Sequence, residues 1–332
     1  MQIEGQPFIL ACHLRAQIIM TADTADIAIV PITVDETPSA RSLLGLVDLR
    51  ILGRRSDLRG AMQFGIHLTC MGATGLLVWL ALPFWYLLIP AMVLHGATIV
   101  TMFAPMHECV HRTAFASPAA NAMVGWIAGV IGFYNSTFYR YYHAWHHRYT
   151  QDPARDPELM FPRATSRAAY LKEISAVQFW YRRAIDYPLI ALGRTEALPF
   201  VPAAARRSVA ISMSFQLAIY LAAAASIALG YTAALYFWLL PSLLAMPLLR
   251  AYLITEHTGC SQDQNGLSNT RTTLTWLPIR LIMWNMPYHA EHHLFPAVPF
   301  HQLPALHAQI GDRFTHVAPG YIATNRAILR SF

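Results

Sequence analysis

Residues 85–111 read WYLLIPAMVLHGATIVTMFAPMHECVH. From Trp85 to Phe103 no side chain is charged, and at about 1.5 Å of rise per residue a helix of that length crosses a bilayer core. Pro105 marks the exit from the hydrocarbon. Beyond it the same helix is expected to run outward and carry His107 and His111, which at i and i+4 fall on one helical face. An apolar span that delivers a histidine pair to its own polar end sets the terms on which the remaining chain is read.

Two further histidine runs share that logic. His143-Ala144-Trp145-His146-His147 and His289-Ala290-Glu291-His292-His293 both have H-x-x-H-H spacing, which on a helix converges three imidazoles on one point. With His107 and His111 they make eight candidate ligands. A single zinc takes three or four, so more than one metal ion is implied. His13, His67, His95, His301, His307 and His316 fit no such pattern and are read as structural or surface residues.

Composition agrees with a membrane setting. The 332 residues are 55% hydrophobic and only 13% charged, with a mean hydropathy of +0.35, too apolar for an ordinary soluble domain. The net charge of +6 rests on arginine, with a single lysine and no basic helix or finger motif, so nucleic acid is excluded as a partner. Cys12, Cys70, Cys109 and Cys260 form no C-x-x-C pair, which excludes an iron–sulfur cluster and a disulfide framework.

Gly65–Leu82 is a second uncharged stretch, separated from Trp85–Phe103 by Pro83, so the two are expected to form a transmembrane hairpin. A second hairpin is expected from Val209–Leu229 and Tyr231–Thr255, turning at Gly230. Neither tip carries Lys or Arg. The three flanking segments carry all of them except Arg250, which places both termini and every histidine run on the cytosolic side. Arg250, late in the last span, has three readings: snorkelling, a carboxylate partner, or contact with a substrate headgroup. Ala122–Phe133 is apolar but too short to cross. The expected architecture is all-α and integral to the membrane: four transmembrane helices in two hairpins, with a cytosolic helical cap holding a histidine-rich di-metal site. Residues 1–60 are read as an N-terminal cytosolic arm, irregular over Met1–Ala40, with an interfacial helix over Leu43–Arg59 for which a plain solvated linker is an equal reading. Residues 61–310 form the membrane domain and 311–332 a cytosolic tail.

His107-Glu108-Cys109-Val110-His111, His143 to His147, and His289-Ala290-Glu291-His292-His293-Leu294-Phe295-Pro296 together resemble the three histidine boxes of the membrane fatty acid desaturase superfamily, in order, spacing and sidedness. The resemblance covers roughly 61–310. It implies two iron ions at a cytosolic cap, O2 as co-substrate, and a ninth ligand, His257 in Thr255-Glu256-His257-Thr258-Gly259. In the acyl-CoA branch an asparagine shortly before that histidine reaches a metal through water. Here Leu253 and Ile254 stand in that region, and Asn285 is the candidate to take the role.

Iron suits the implied reaction, because breaking an unactivated C–H bond needs adjacent redox-active metals. An all-imidazole set is neutral, and carboxylates are expected to orient its rings: Glu108, Glu256, Glu291 and the pair Asp152 and Asp156 are the candidates. For the two aspartates, turn chemistry is an equal reading. The reaction implied is an oxygen-dependent desaturation of a fatty acyl chain or related lipid. Hydroxylation or ketolation within the superfamily is the nearest alternative. His107-Glu108-Cys109-Val110-His111 also satisfies H-E-x-x-H, the pattern of a zinc protease, but two H-x-x-H-H runs are superfluous for one zinc. A metal transporter would place its site near the bilayer midplane. Without a nucleotide-binding glycine motif or cluster cysteines, the chain needs a separate electron donor of ferredoxin or cytochrome type, with an acidic face to meet the arginines.

Overall fold

The computed structural model describes residues 38–43, 45, 47–160 and 163–332. The expected N-terminal arm, up to residue 37 and including Cys12, lies outside the described residues. Among the described residues the chain is almost wholly helical, and its regular strand pairing is a two-residue parallel ladder, Thr272 with Val317 and Thr273 with Ala318.

Four helices are long and apolar enough to cross a membrane: Asp57–Ala81, Trp85–Val110, Ala203–Ala228 and Leu235–His257. Each extends past the uncharged stretch at the end bearing the polar segments. The first is started by Ser56, whose hydroxyl accepts from the Arg59 amide at 3.3 Å, leaving Asp57 in the first turn to complement the helix dipole. The second breaks its regular winding at Thr101 and Met102. Pro105 explains this, because it cannot donate to the carbonyl four residues back. The fourth opens with a π-helical turn, Leu235–Leu239, just ahead of Pro241. Trp79, Trp85 and Tyr86, like Leu229 and Tyr231, are exposed around the two turns, where interfacial aromatics are expected.

The fourth long helix lies along the second, while the third makes its main contacts with Val177–Ala191. The side-by-side pair matters most for the site, because the second helix carries box 1 at its C-terminal end and the fourth ends on His257. Between them the shorter helices Ser136–Arg148 and His289–Leu294 bring in boxes 2 and 3. Asn135 caps the box 2 helix by accepting from the Phe138 amide at 2.9 Å. A buried cluster that includes Met102, Phe103, Met106, Tyr134, Leu249, Tyr252 and Trp284 packs these elements together.

The helix expected over Leu43–Arg59 is instead divided. Leu49–Leu52 forms one short turn, Gly53 ends it, and residues from Asp57 belong to the first long helix. Leu43, Val47 and Leu52 are buried against Phe295, Leu303 and Leu306, so this apolar face covers the region after box 3 and not a lipid surface. Residues 311–332 fold back in turn: Tyr321 stacks on Tyr252 with ring centroids 4.5 Å apart, and the Asn325 amide donates to the Ala251 carbonyl at 3.0 Å.

Candidate metal centre

Helical spacing brings the boxes into two adjacent groups. His107, His111, His143, His147 and His292 each offer a ring nitrogen within 4.8 Å of the others, and His146, His257 and His293 do the same. The inner nitrogens are Nε2 atoms: those of His143 and His147 lie 3.0 Å apart, His111 and His292 3.2 Å, and His146 and His257 3.3 Å. His289 stands beside the second group, its ring centroid 4.5 Å from that of His293 and 5.2 Å from that of His257.

Several of these rings are buried with no hydrogen-bond partner on one or both nitrogens, including both nitrogens of His107 and Nε2 of His293. Such orphans cost a buried site roughly 1–3 kcal/mol each unless something satisfies them. Protonation does not. Burial first, and the neighbouring imidazoles after it, hold His111, His143, His147, His289 and His293 well below the ordinary histidine pKa and His292 down to about 3. Ring nitrogens converging from five and three imidazoles fit a pair of cations, and five donors exceed the usual four of zinc.

Carboxylates hold the rings from behind. Asp156 accepts from Nδ1 of His146 at 2.9 Å, fixing the tautomer that turns Nε2 inward. Burial lowers the His146 pKa, but Asp156 and Glu158 outweigh it and hold the group above the ordinary value. Glu108 takes bonds from the Thr113 hydroxyl at 2.9 Å and the Phe300 amide at 3.2 Å, and its other oxygen is 3.9 Å from Nδ1 of His292, near enough to act through charge but too far to bond. Glu291 is bound by Thr272 and His307. Nδ1 of His257 donates to the Asn269 carbonyl at 3.2 Å. Two candidates stand elsewhere. Asp152 is tied into its own turn by Arg155 and the Ala154 amide, and Asn285 spends its amide on the Phe300 carbonyl and Arg280.

The fatty acid desaturase family model matches residues 77–325. The chain belongs to the fatty acid desaturase family. It is 29% identical over 254 residues to a sphingolipid delta(4)-desaturase, DES1, of Drosophila melanogaster, covering 73% of this chain and 72% of that one. A sphingolipid delta(4)-desaturase/C4-monooxygenase, DES2, of Bos taurus is 26% identical over 270 residues, 77% and 74% of the two chains. An sn-1 oleoyl-lipid 12-desaturase of Picosynechococcus is 33% identical over a shorter stretch of 91 residues, 27% of this chain and 26% of that one. The protein is therefore an oxidoreductase of the fatty acid desaturase type, and its four apolar helices make it an integral membrane protein.

In this member of the family a cavity of about 290 Å³ opens onto the histidines, with His107, His143, His257 and His289 in its lining. Aromatic walls come from Phe103, Tyr134, Tyr139 and Phe179. Arg250 lines it too, paired with Glu173 at 3.1 Å, so the residue does have a carboxylate partner within the cavity. Sequence reading missed several supporting residues, Glu158, Tyr139 and His307 among them. Tyr139, one turn before His143, places its hydroxyl 3.3 Å from Nδ1 of that ring, a spacing that could have been noticed. His307 braces Glu291 across sixteen residues of chain, and nothing local signals it. His67 and His95 are satisfied by the carbonyls of Thr98 and Phe237, at 2.8 and 3.1 Å. Among the described residues Cys70, Cys109 and Cys260 are free thiols.

Proposed function

We propose that the protein is a di-iron, oxygen-dependent desaturase that introduces a double bond into a fatty acyl chain or related lipid. The observation that carries this reading is the meeting of two imidazole groups, of five and three, at an aromatic-walled cavity. Two iron ions held there would supply, with O2, the oxidising power needed to remove hydrogen from an unactivated carbon.

The chain's own residues do the rest. His107, His111, His143, His147 and His292 would hold one ion, and His146, His257 and His293, with His289 beside them, the other. Asp156 keeps His146 from turning, and Glu108 acts on His292 through charge alone. Phe103, Tyr134 and Tyr139 present apolar faces that hold the reacting segment of a chain and keep water from it. At about 290 Å³ the cavity sits at the small end of the roughly 300–1,000 Å³ usual for ligand sites, so it suits a chain segment and not an entire lipid.

The arginine distribution supports two hairpins with both termini and the boxes on the cytosolic side. Reporters inserted at Pro83 and Gly230 are then expected in the opposite compartment, and finding either in the cytosol contradicts the topology. The same charged face would receive a separate electron donor of ferredoxin or cytochrome type. Mass spectrometry of lipids from cells with and without the protein, grown under labelled oxygen gas, tests the reaction. A new double bond with no label in the lipid is expected. Label retained in the product would instead establish hydroxylation, the outcome that the name of the bovine relative brings forward.

A further inference from the structure

The carboxylates around the histidines approach two different ring atoms. Asp156 binds His146 at Nδ1, and Glu108 faces His292 at Nδ1, both on the side away from the converging Nε2 atoms. Two others approach from the inner side. Glu256 places Oε2 at 3.5 Å from Nε2 of His289, and Glu158 places Oε2 at 3.7 Å from Nε2 of His146, the same nitrogen that lies 3.3 Å from Nε2 of His257. A carboxylate behind a ring orients it, whereas one in front of it competes for, or shares, whatever the ring binds.

Of the two, Glu256 is the more deeply placed. It is buried, it lines the cavity beside the histidines, and its Oε1 has no hydrogen-bond partner. Glu158 is about a third exposed. Glu256 also directly precedes His257 on the last turn of the fourth long helix, and its side chain reaches His289 beside the second group. That group offers three nitrogens where the other offers five. A buried, unpartnered carboxylate sits where the ligand count is short.

We infer that Glu256 supplies a carboxylate oxygen to the metal ion of the second group, alongside His146, His257, His293 and the adjacent His289. This rests on the di-iron reading. The two ions are then chemically unequal: one in a neutral all-nitrogen set, the other in a mixed set with a negative oxygen donor, which favours a harder, more oxidised ion.

Full-length protein purified in detergent and loaded with isotope-enriched iron tests it by Mössbauer spectroscopy and metal analysis. Two unequal doublets of similar area are expected for the unaltered protein, and Glu256→Gln is expected to lower bound iron from about two to about one per chain, with one doublet lost. Glutamine keeps the size of the side chain and can still hydrogen-bond His289, so a residue that merely positions that ring would leave both doublets in place. Two irons with an unchanged spectrum in Glu256→Gln would overturn the inference and spare the di-iron reading, whereas unaltered protein that takes up no iron would overturn both. Should that variant not fold, Glu256→Asp decides: it keeps the carboxylate but withdraws it by one methylene, so a change confined to one of the two doublets is expected and an unchanged spectrum refutes the assignment.

Discussion

Alanine at His292 or at His146 is expected to strip the protein of iron and abolish lipid oxidation. His292 contributes to the five-ring group and His146 to the three-ring group, and both are buried. Losing a partner that only orients a ligand costs roughly 10–100-fold in metal affinity or activity, and losing the ligand itself is expected to exceed that. Asp156→Asn provides the comparison: it keeps the shape behind His146 but removes the charge that fixes its tautomer, so a loss within that 10–100-fold range is expected. Metal analysis and product formation on the same preparations check both. An alanine variant at either histidine that kept its iron and its activity would remove that residue from the site.

The second large effect is expected far from the histidines, at Gly96. A Cβ added there would lie 1.9 Å from the Pro241 carbonyl oxygen and 2.7 Å from the Ala245 Cβ. Backbone oxygen cannot swing aside as a flexible side chain can, so the second and fourth long helices would have to part. Small residues allow such close helix approach within membranes. Overpacking of this kind costs about 1–3 kcal/mol for a single methyl, and a larger side chain adds to it. Because one of these helices ends in box 1 and the other on His257, their spacing also sets the distance between the two metal groups. Gly96→Ala is therefore expected to lower thermal stability and iron retention together, and Gly96→Leu to yield no folded protein. An unchanged melting temperature in Gly96→Leu would contradict the helix contact.

Much of this was legible in the residues because the signals are local. The boxes declare themselves through i, i+3 and i+4 spacing, which needs only a helix to act. The four spans declare themselves through uncharged length, although each proved longer at its polar end, where a helix runs on after hydropathy stops marking it. What escaped depends on contacts between distant segments. Asp152 and Asp156 looked equivalent in sequence, and the left-handed backbone at Gln151 (φ 68°) helps shape the turn in which Asp156 meets His146 while Asp152 meets Arg155. Asn285, also at positive φ, points its amide at the Phe300 carbonyl and Arg280. The Leu43–Leu52 stretch mixes leucine and arginine as a surface helix would. Only the fold shows that Leu43, Val47 and Leu52 cover the region following box 3.

Iron content of the purified, unaltered protein tests the central claim most directly. Eight histidines in two adjacent groups, with His289 beside the second, predict about two irons per chain, one ion in each group. One zinc per chain with peptide-bond cleavage would contradict the account and return the H-E-x-x-H reading of His107 to His111.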